Sequence, residues 1–258
     1  MDSKERFSSR VDAYVKYRPS YPPEAISYLY DTVGFGAEDE IADIGAGTGI
    51  FSKLLLARGS SVIAVEPNQA MREAAVLDLG HHAHYRAVSG SAEATGLPDR
   101  SVNHIVCAQS FHWFDRGAAR SEFSRILKPG GKAVLIWNTR LLKGTPFLEE
   151  YEQLLLAYGT DYEKLRHKNI SADALASFFK PGGLRVARFS MRQLLNLEEL
   201  GGRLQSSSYA PQAGHPNFEP MMAELKSIFA RNEQNGVVSF EYETELYWGE
   251  VQDEVQQA

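Results

Sequence analysis

The sequence predicts an α/β fold: a doubly wound, mostly parallel sheet finished by antiparallel strands and carrying helical cap insertions. Three observations predict it. Between residues 40 and 138, short runs apolar on both faces alternate with helix patterns. Such strands are covered by helices on each side, and right-handed crossovers join them. A glycine-rich loop, IADIGAGTGIF (41–51), follows the first of these runs. Near the end of the chain, VVSFEYETELYW (237–248) alternates cleanly, which marks an antiparallel strand with one wet face.

The elements follow in order. FSSRVDAYVKYRPSYPPEAISYLYDTV (7–33) holds five tyrosines and three prolines and reads as an N-terminal cover, residues 1–39. Pro22-Pro23 opens a helix to about Val33, because proline is tolerated in a first turn. Strands are expected at EIADI (40–44), SVIAV (61–65), VNHIVCA (102–108) and KAVLIWN (132–138), with a weaker one at HYRAVSG (84–90). Helices are expected at 51–59, 69–80 and 115–127. The last stops at the breaker Lys128-Pro129-Gly130-Gly131. Residues 40–140 are therefore expected to form the core unit that carries the glycine-rich loop. In 141–258, helices at 146–159, 171–179 and 216–235 are interleaved with strands at 184–195 and 237–248, so cap insertions alternate with the strands that complete the sheet.

Bulk properties narrow the function. A chain of 258 residues buries about 75% of its unfolded surface and needs no disulfide or structural metal. The single cysteine, Cys107, excludes an internal disulfide and thiolate zinc clusters. The start, MDSKERFSSR, lacks the apolar core of a secretory signal, and no apolar run nears the roughly 18 residues of a membrane helix. A cytoplasmic location is expected. Net charge is −6 with scattered Lys and Arg, against a nucleic-acid partner. A small-molecule substrate, no nucleic acid, no membrane, and a monomer or homodimer are expected.

The glycine loop discriminates among cofactors. Gly45, Gly47 and Gly49 give G-x-G-x-G, whereas the dinucleotide fingerprint needs its third glycine where Ile50 stands. No Gly-Lys-Ser/Thr follows, so a phosphate loop fails too. Asp43, just before the loop, would repel a pyrophosphate and suits the ammonium of an amino-acid moiety. Glu66 ends the second strand, 21 residues beyond Gly45, at the offset of the acid that binds ribose hydroxyls. Together these favour S-adenosylmethionine. Thr48 is placed to cap the following helix.

Asp43-Ile-Gly-Ala-Gly-Thr-Gly49 resembles motif I of class I S-adenosylmethionine-dependent methyltransferases, the methyltransferase type 11 domain. VIAVEPNQAM (62–71) resembles their second motif, GSAEATGLPDRSVNHIVCAQSFHWFD (90–115) their third and fourth, and RILKPGGKAVLIWN (125–138) the segment after. AQSFHWFD and YVKYRPSYP resemble a small-molecule branch that includes trans-aconitate methyltransferase-like proteins. The resemblance implies a Rossmann-like seven-stranded sheet, mostly parallel, with its last strand antiparallel. It also implies that Gly45, Gly47 and Thr48 meet the methionine part of the cofactor, Glu66 the ribose and Met71 the adenine. Ala92 and Glu93 then stand at the adenine edge, and Gln109 and Ser110 lie beneath the sulfonium.

For the chemistry, methyl transfer needs a base only when the acceptor must lose a proton. His112, just past the fourth strand, is the candidate base or acceptor ligand, unless it merely orients its loop. Trp113 is a candidate wall for the acceptor. The resemblance to the small-molecule branch also implies that the leader, with Tyr14, Tyr17 and Arg18, folds over the cofactor, with Arg18 placed to meet a carboxylate. Ser208 and Tyr209, in the run from Ser206, are candidate acceptor contacts. No metal is expected: His81, His82 and His84 read as a surface cluster. The expected reaction is methyl transfer from S-adenosylmethionine to a small acidic or phenolic acceptor. A non-catalytic cofactor-binding sensor and a nicotinamide-dependent oxidoreductase stand as alternatives.

Overall fold

The structure is a computed structural model that describes residues 16–160, 162 and 170–252. Tyr14 lies outside the described residues. The described residues form a seven-stranded sheet in the order β3-β2-β1-β4-β5-β7-β6. Its strands are β1 (Glu40–Ile44), β2 (Ser61–Val65), β3 (Tyr85–Val88), β4 (Val102–Ala108), β5 (Leu127–Arg140), β6 (Arg185–Leu195) and β7 (Val238–Gly249). Strands β3-β2-β1-β4-β5 are mutually parallel, and β7 runs antiparallel to both β5 and β6. The expected fold class is what is found. Strand order reverses between β1 and β4, and ligands of open α/β sheets bind at the strand ends beside such a switch.

Helices follow the sequence pattern closely in the first half. α1 (Pro23–Tyr28) starts at the proline pair and continues as a π turn, Leu29–Val33. α2 (Ile50–Leu56), α3 (Gln69–Leu79) and α4 (Arg116–Ile126) cover the parallel strands. Asn68 and Asp115 cap α3 and α4 through their side-chain oxygens. Thr48 caps nothing: α2 has Gly49 at its N-cap and no side-chain cap.

One expected boundary moves. Lys128-Pro129-Gly130-Gly131 does not separate α4 from a strand starting at 132. It lies inside β5, where the register with β4 shifts between the Val102–Leu127 and His104–Lys132 pairs. The extra residues are absorbed as an irregularity, which a sheet tolerates where a glycine takes up a left-handed conformation, as Gly130 does.

The second half packs as a cap against β7. α5 (Pro146–Tyr158) and α8 (Phe218–Asn232) lie against each other, burying Phe147, Tyr151, Leu225 and Ile228 with Phe240 and Tyr242 of β7. α6 (Ala172–Ala176) is shorter than the pattern suggested. α7 (Leu197–Gln205) is an element the sequence reading missed, because Gly201-Gly202 interrupts its pattern. Its start is nonetheless well specified by a capping box formed by Asn196 and Glu199. Among the described residues, no helix is long and apolar enough to cross a membrane, and no cluster of His, Cys, Asp and Glu is arranged to hold a metal.

Candidate functional site

A cavity of about 230 Å³ opens at the carboxyl ends of β1, β2 and β4. Its floor is the glycine loop. Gly45 donates its N–H to Val65 O at 2.8 Å, fixing the loop to the end of β2. Gly45 has a φ of +70°, and a Cβ there would stand 2.6 Å from Ser110 Cβ, so only glycine fits against β4's exit loop. At Gly47 a Cβ would meet only Met71 Sδ, at 3.9 Å, and would otherwise occupy the cavity. The bare backbone is thus turned toward whatever the cavity receives.

Glu66 closes one wall. Its Oε2 accepts the Gly47 N–H at 2.9 Å and its Oε1 the Asn68 N–H at 2.8 Å. Burial raises the Glu66 pKa above the usual carboxylate range, and the two N–H donors pull it back. Each oxygen retains acceptor capacity for a hydroxyl. Met71, Ala92, Glu93, Gln109 and Ser110 also line the cavity, as the sequence placed them. Ser110 Oγ donates to Ile44 O at 2.7 Å, and Glu93 accepts the Asp115 N–H at 2.9 Å. Gln109 is held at φ +59°, a conformation uncommon for a residue with a Cβ. Its amide donates to Asn138 O at 3.1 Å.

Thr48 lines the cavity, and its buried Oγ has no hydrogen-bond partner among the described residues. An orphaned hydroxyl beside an exposed loop backbone and a carboxylate with spare acceptor sites is the donor and acceptor set that an adenosyl amino acid requires. The residues fit that group.

Five sequence-predicted residues do not reach the cavity. Asp43 is fully buried behind the loop, where its Oδ2 accepts from Ser52 Oγ at 2.6 Å. Burial, reinforced by the charge of Glu66 and opposed by the Ser52 hydrogen bonds, pushes its pKa up to about 7. Its side chain stands out of the sheet plane on the face that α2 covers, so it meets Ser52 of that helix and not the cavity. His112 sits in a short 3-10 turn, Phe111–Trp113, that turns its ring away toward Trp137. The indole Nε1–H faces His112 Nδ1 at 3.5 Å. The neighbouring Trp113 does line the cavity. Tyr17 packs on α7 and reaches Glu198 at 3.3 Å, and Tyr21 takes the wall instead. Ser208 and Tyr209 lie outside the lining; the Tyr209 carbonyl accepts from Thr160.

Arg18 lines the cavity and donates from Nη2 to Ser206 O at 3.0 Å, which draws the leader onto the cap. Of the lining residues that sequence reasoning did not single out, two carry polar groups from the second half of the sheet and its cap. Asn138 lies in the C-terminal part of β5, where its Oδ1 accepts from Thr244 Oγ1 at 2.6 Å and its Nδ2 donates to Ser20 O at 2.9 Å. Its place at the end of an apolar strand run was a signal. Arg203 comes from α7, whose double glycine hid it.

A Rossmann-like sheet with a glycine loop over an acid at the second strand's end defines a protein that binds an adenosine-containing cofactor at the switch point. Comparison with known proteins gives the particular family. Residues 42–135 match the methyltransferase domain model. An uncharacterized methyltransferase of Schizosaccharomyces pombe is 30% identical over 227 residues, 86% of each chain. One from Mycobacterium tuberculosis is 41% identical over 139 residues, and the match spans about half of each protein, 54%. Among solved structures, a protein of Anaeromyxobacter dehalogenans assigned as a type II methyltransferase superposes with a TM-score of 0.65 at 18% identity. That likeness covers 92% of this chain and 99% of the other. A phosphoethanolamine N-methyltransferase of Haemonchus contortus, solved with phosphomonomethylethanolamine and S-adenosylhomocysteine, gives 0.52 at 14% identity. It covers 95% of this chain and 58% of the other, and both structural likenesses speak to fold alone. The chain belongs to the class I S-adenosylmethionine-dependent methyltransferases.

Proposed function

We propose that the protein transfers a methyl group from S-adenosylmethionine to a small-molecule acid. The observation that carries this reading is the joint between Gly47 and Glu66 at the cavity floor. It presents loop backbone and a ribose-binding carboxylate to one ligand, beside a wall open to a second. Glu66 would hold the ribose hydroxyls, Gly45, Gly47 and Thr48 the methionine portion, and Arg18 its carboxylate. Met71, Ala92 and Glu93 would hold the adenine, with Gln109 and Ser110 beneath the sulfonium. When bound, that sulfonium supplies a methyl carbon already open to in-line attack by an acceptor lone pair, with the sulfur–carbon electron pair returning to sulfur.

What this chain adds is position. Holding acceptor and methyl in line at near-attack distance supplies up to about 7–11 kcal/mol in well-oriented systems. Trp113 and Phe114 exclude water from one side, and the leader at Arg18, Pro19 and Tyr21 covers the other. The described lining residues include the carboxylates Glu66 and Glu93 and the guanidiniums Arg18 and Arg203, with no imidazole or amine among them. A carboxylic acid suits that set better than a phenol, because it already reacts as the anion and gives up no proton. His112 then orients the loop that carries Trp113. The reading keeps the sequence-based expectations of a cytoplasmic protein acting on a small molecule, without nucleic acid or membrane.

The test is incubation with methyl-labelled S-adenosylmethionine and a panel of carboxylic acids and phenols. Label in an alkali-labile methyl ester is the expected outcome. Binding of S-adenosylhomocysteine without turnover on any acid or phenol would favour the sensor reading.

A further inference from the structure

Arg203 is the most unusual charge in the molecule. The residue is only 6% exposed, yet it lines the cavity. Neutral groups hold it. Nε donates to Tyr242 Oη at 3.2 Å, Nη1 donates to Ser207 Oγ at 3.0 Å, and the guanidinium lies 5.6 Å from the Phe240 ring centre. Tyr242 in turn donates to Gln193 Oε1 at 3.0 Å, which fixes its hydroxyl as an acceptor toward Arg203. Ser207 is tied back to the helix, its Oγ within 3.4 Å of Arg203 O. Among the described residues no carboxylate pairs with this guanidinium, and Nη2 has no hydrogen-bond partner.

The contrast with Arg140 shows that this is not the rule in the cap. Arg140 is similarly withdrawn but pairs with Glu152 and bonds to Tyr162. A guanidinium in a protein does not escape its charge by losing a proton. A buried charge without a counter-ion is strongly unfavourable, so such groups are paired or face a ligand. Arg203 is aligned by two fixed hydrogen bonds and lacks only the anion.

The strand order says which ligand this is. Glu66 ends at β2 and Glu93 follows β3, on one side of the switch point, whereas Arg203 is anchored to β7 beyond β5. The cofactor's adenosine belongs with the acids; Arg203 belongs to the other partner. We propose that Arg203 is the specificity-determining residue of the acceptor site and holds a carboxylate of the acceptor. One guanidinium with one free edge matches a monoanion; a phosphate dianion would call for more donors than this edge offers. The proposal rests on the methyl-transfer reading of the cavity and deepens it.

The test uses the whole protein saturated with S-adenosylhomocysteine, at fixed ionic strength. Thermal unfolding is followed with succinate, citrate and benzoate, with dimethyl succinate as the neutral control, and with inorganic phosphate. Three proteins are compared: wild type, Arg203→Met and Arg203→Lys. At least one carboxylate should raise the wild-type midpoint by 2 °C or more (about the size expected from binding several times above Kd). Dimethyl succinate should not. The shift should vanish in Arg203→Met and shrink in Arg203→Lys. Arg203→Met should unfold no earlier than wild type without acid, because it removes an uncompensated charge in favour of an apolar group. S-adenosylhomocysteine affinity, measured by calorimetry, should stay within threefold in both variants.

Several outcomes overturn the proposal. They are equal shifts in wild type and Arg203→Met, no shift with any carboxylate, or a shift with phosphate as large as with the acids. A tenfold loss of S-adenosylhomocysteine affinity in Arg203→Met would also do so, by assigning the residue to the cofactor. Should Arg203→Met not fold, Arg203→Lys carries the same comparisons. Failure of the methyl-transfer reading itself would show separately, as no S-adenosylhomocysteine binding to wild type.

Discussion

Glu66 and Gly47 are joined across the mouth of the sheet: the carboxylate at the end of β2 accepts the loop N–H at 2.9 Å, while its second oxygen accepts from Asn68 at 2.8 Å. One side chain therefore sets the loop's height above the strand ends and presents acceptor sites to the cavity. Glu66→Ala removes both functions and leaves two backbone donors without partners. S-adenosylhomocysteine affinity should fall at least tenfold, about 1.4 kcal/mol. Unchanged affinity in calorimetry would remove Glu66 from the site.

Asp43 makes stability depend on pH. Its pKa rises from 3.8 to about 7 on folding, through burial first. A carboxylate whose folded pKa is raised favours the folded state while protonated. That contribution is present at low pH and is lost as pH climbs from about 4 through about 7. The size is on the order of 4 kcal/mol. Asp43→Asn keeps an acceptor for Ser52 and cannot ionise. Without added ligand, the midpoint of the variant should therefore gain on wild type between pH 5 and pH 8. A difference between the two proteins that is flat with pH would show that Asp43 does not titrate in this window.

The paired glycines of α7 should respond in opposite senses. A Cβ at Gly201 would meet only Met222 Cε, at 3.4 Å, so Gly201→Ala should gain up to about 1 kcal/mol of helix propensity. A Cβ at Gly202 would run into the Tyr17 ring. Gly202→Ala must displace the Tyr17 ring, and we expect it to lose about 1–3 kcal/mol in denaturant unfolding and to weaken S-adenosylhomocysteine binding. Equal stabilisation by both substitutions would mean that Tyr17 does not rest on this helix.

His112 faces Trp137 rather than the cavity. His112→Gln should keep turnover within about tenfold, with the pH–rate profile between 6 and 8 unchanged in shape. A hundredfold loss at unaltered cofactor affinity would return the base role to His112, since a positioned base contributes about 10²–10⁴-fold.

How far the sequence reaches is visible in particular residues. Strands Glu40–Ile44 and Ser61–Val65 begin and end where the apolar runs do; Gly45 and Glu66, singled out by spacing, line the cavity, and so do Met71 and Ala92, which only the family resemblance pointed to. α7 stayed hidden because its glycines erase local propensity, although its capping box was written in Asn196 and Glu199. Asp43 was expected against the cofactor and Thr48 at a helix cap; packing instead buries Asp43 against Ser52 and leaves the Thr48 hydroxyl without a partner among the described residues.

By itself the sequence determined the doubly wound core and the cofactor loop, because strand period, helix caps and glycine conformations act over a few neighbouring residues. The tertiary structure alone decided which side chains from the leader and the cap line the cavity. Arg18 meets Ser206 across 188 residues of chain, and Arg203 meets Tyr242 only because α7 packs beside β7, which lies between β5 and β6. Contacts of that range follow from strand order and helix packing, which no local spacing encodes. They bring two guanidiniums, Arg18 and Arg203, from distant parts of the chain into the lining of one cavity.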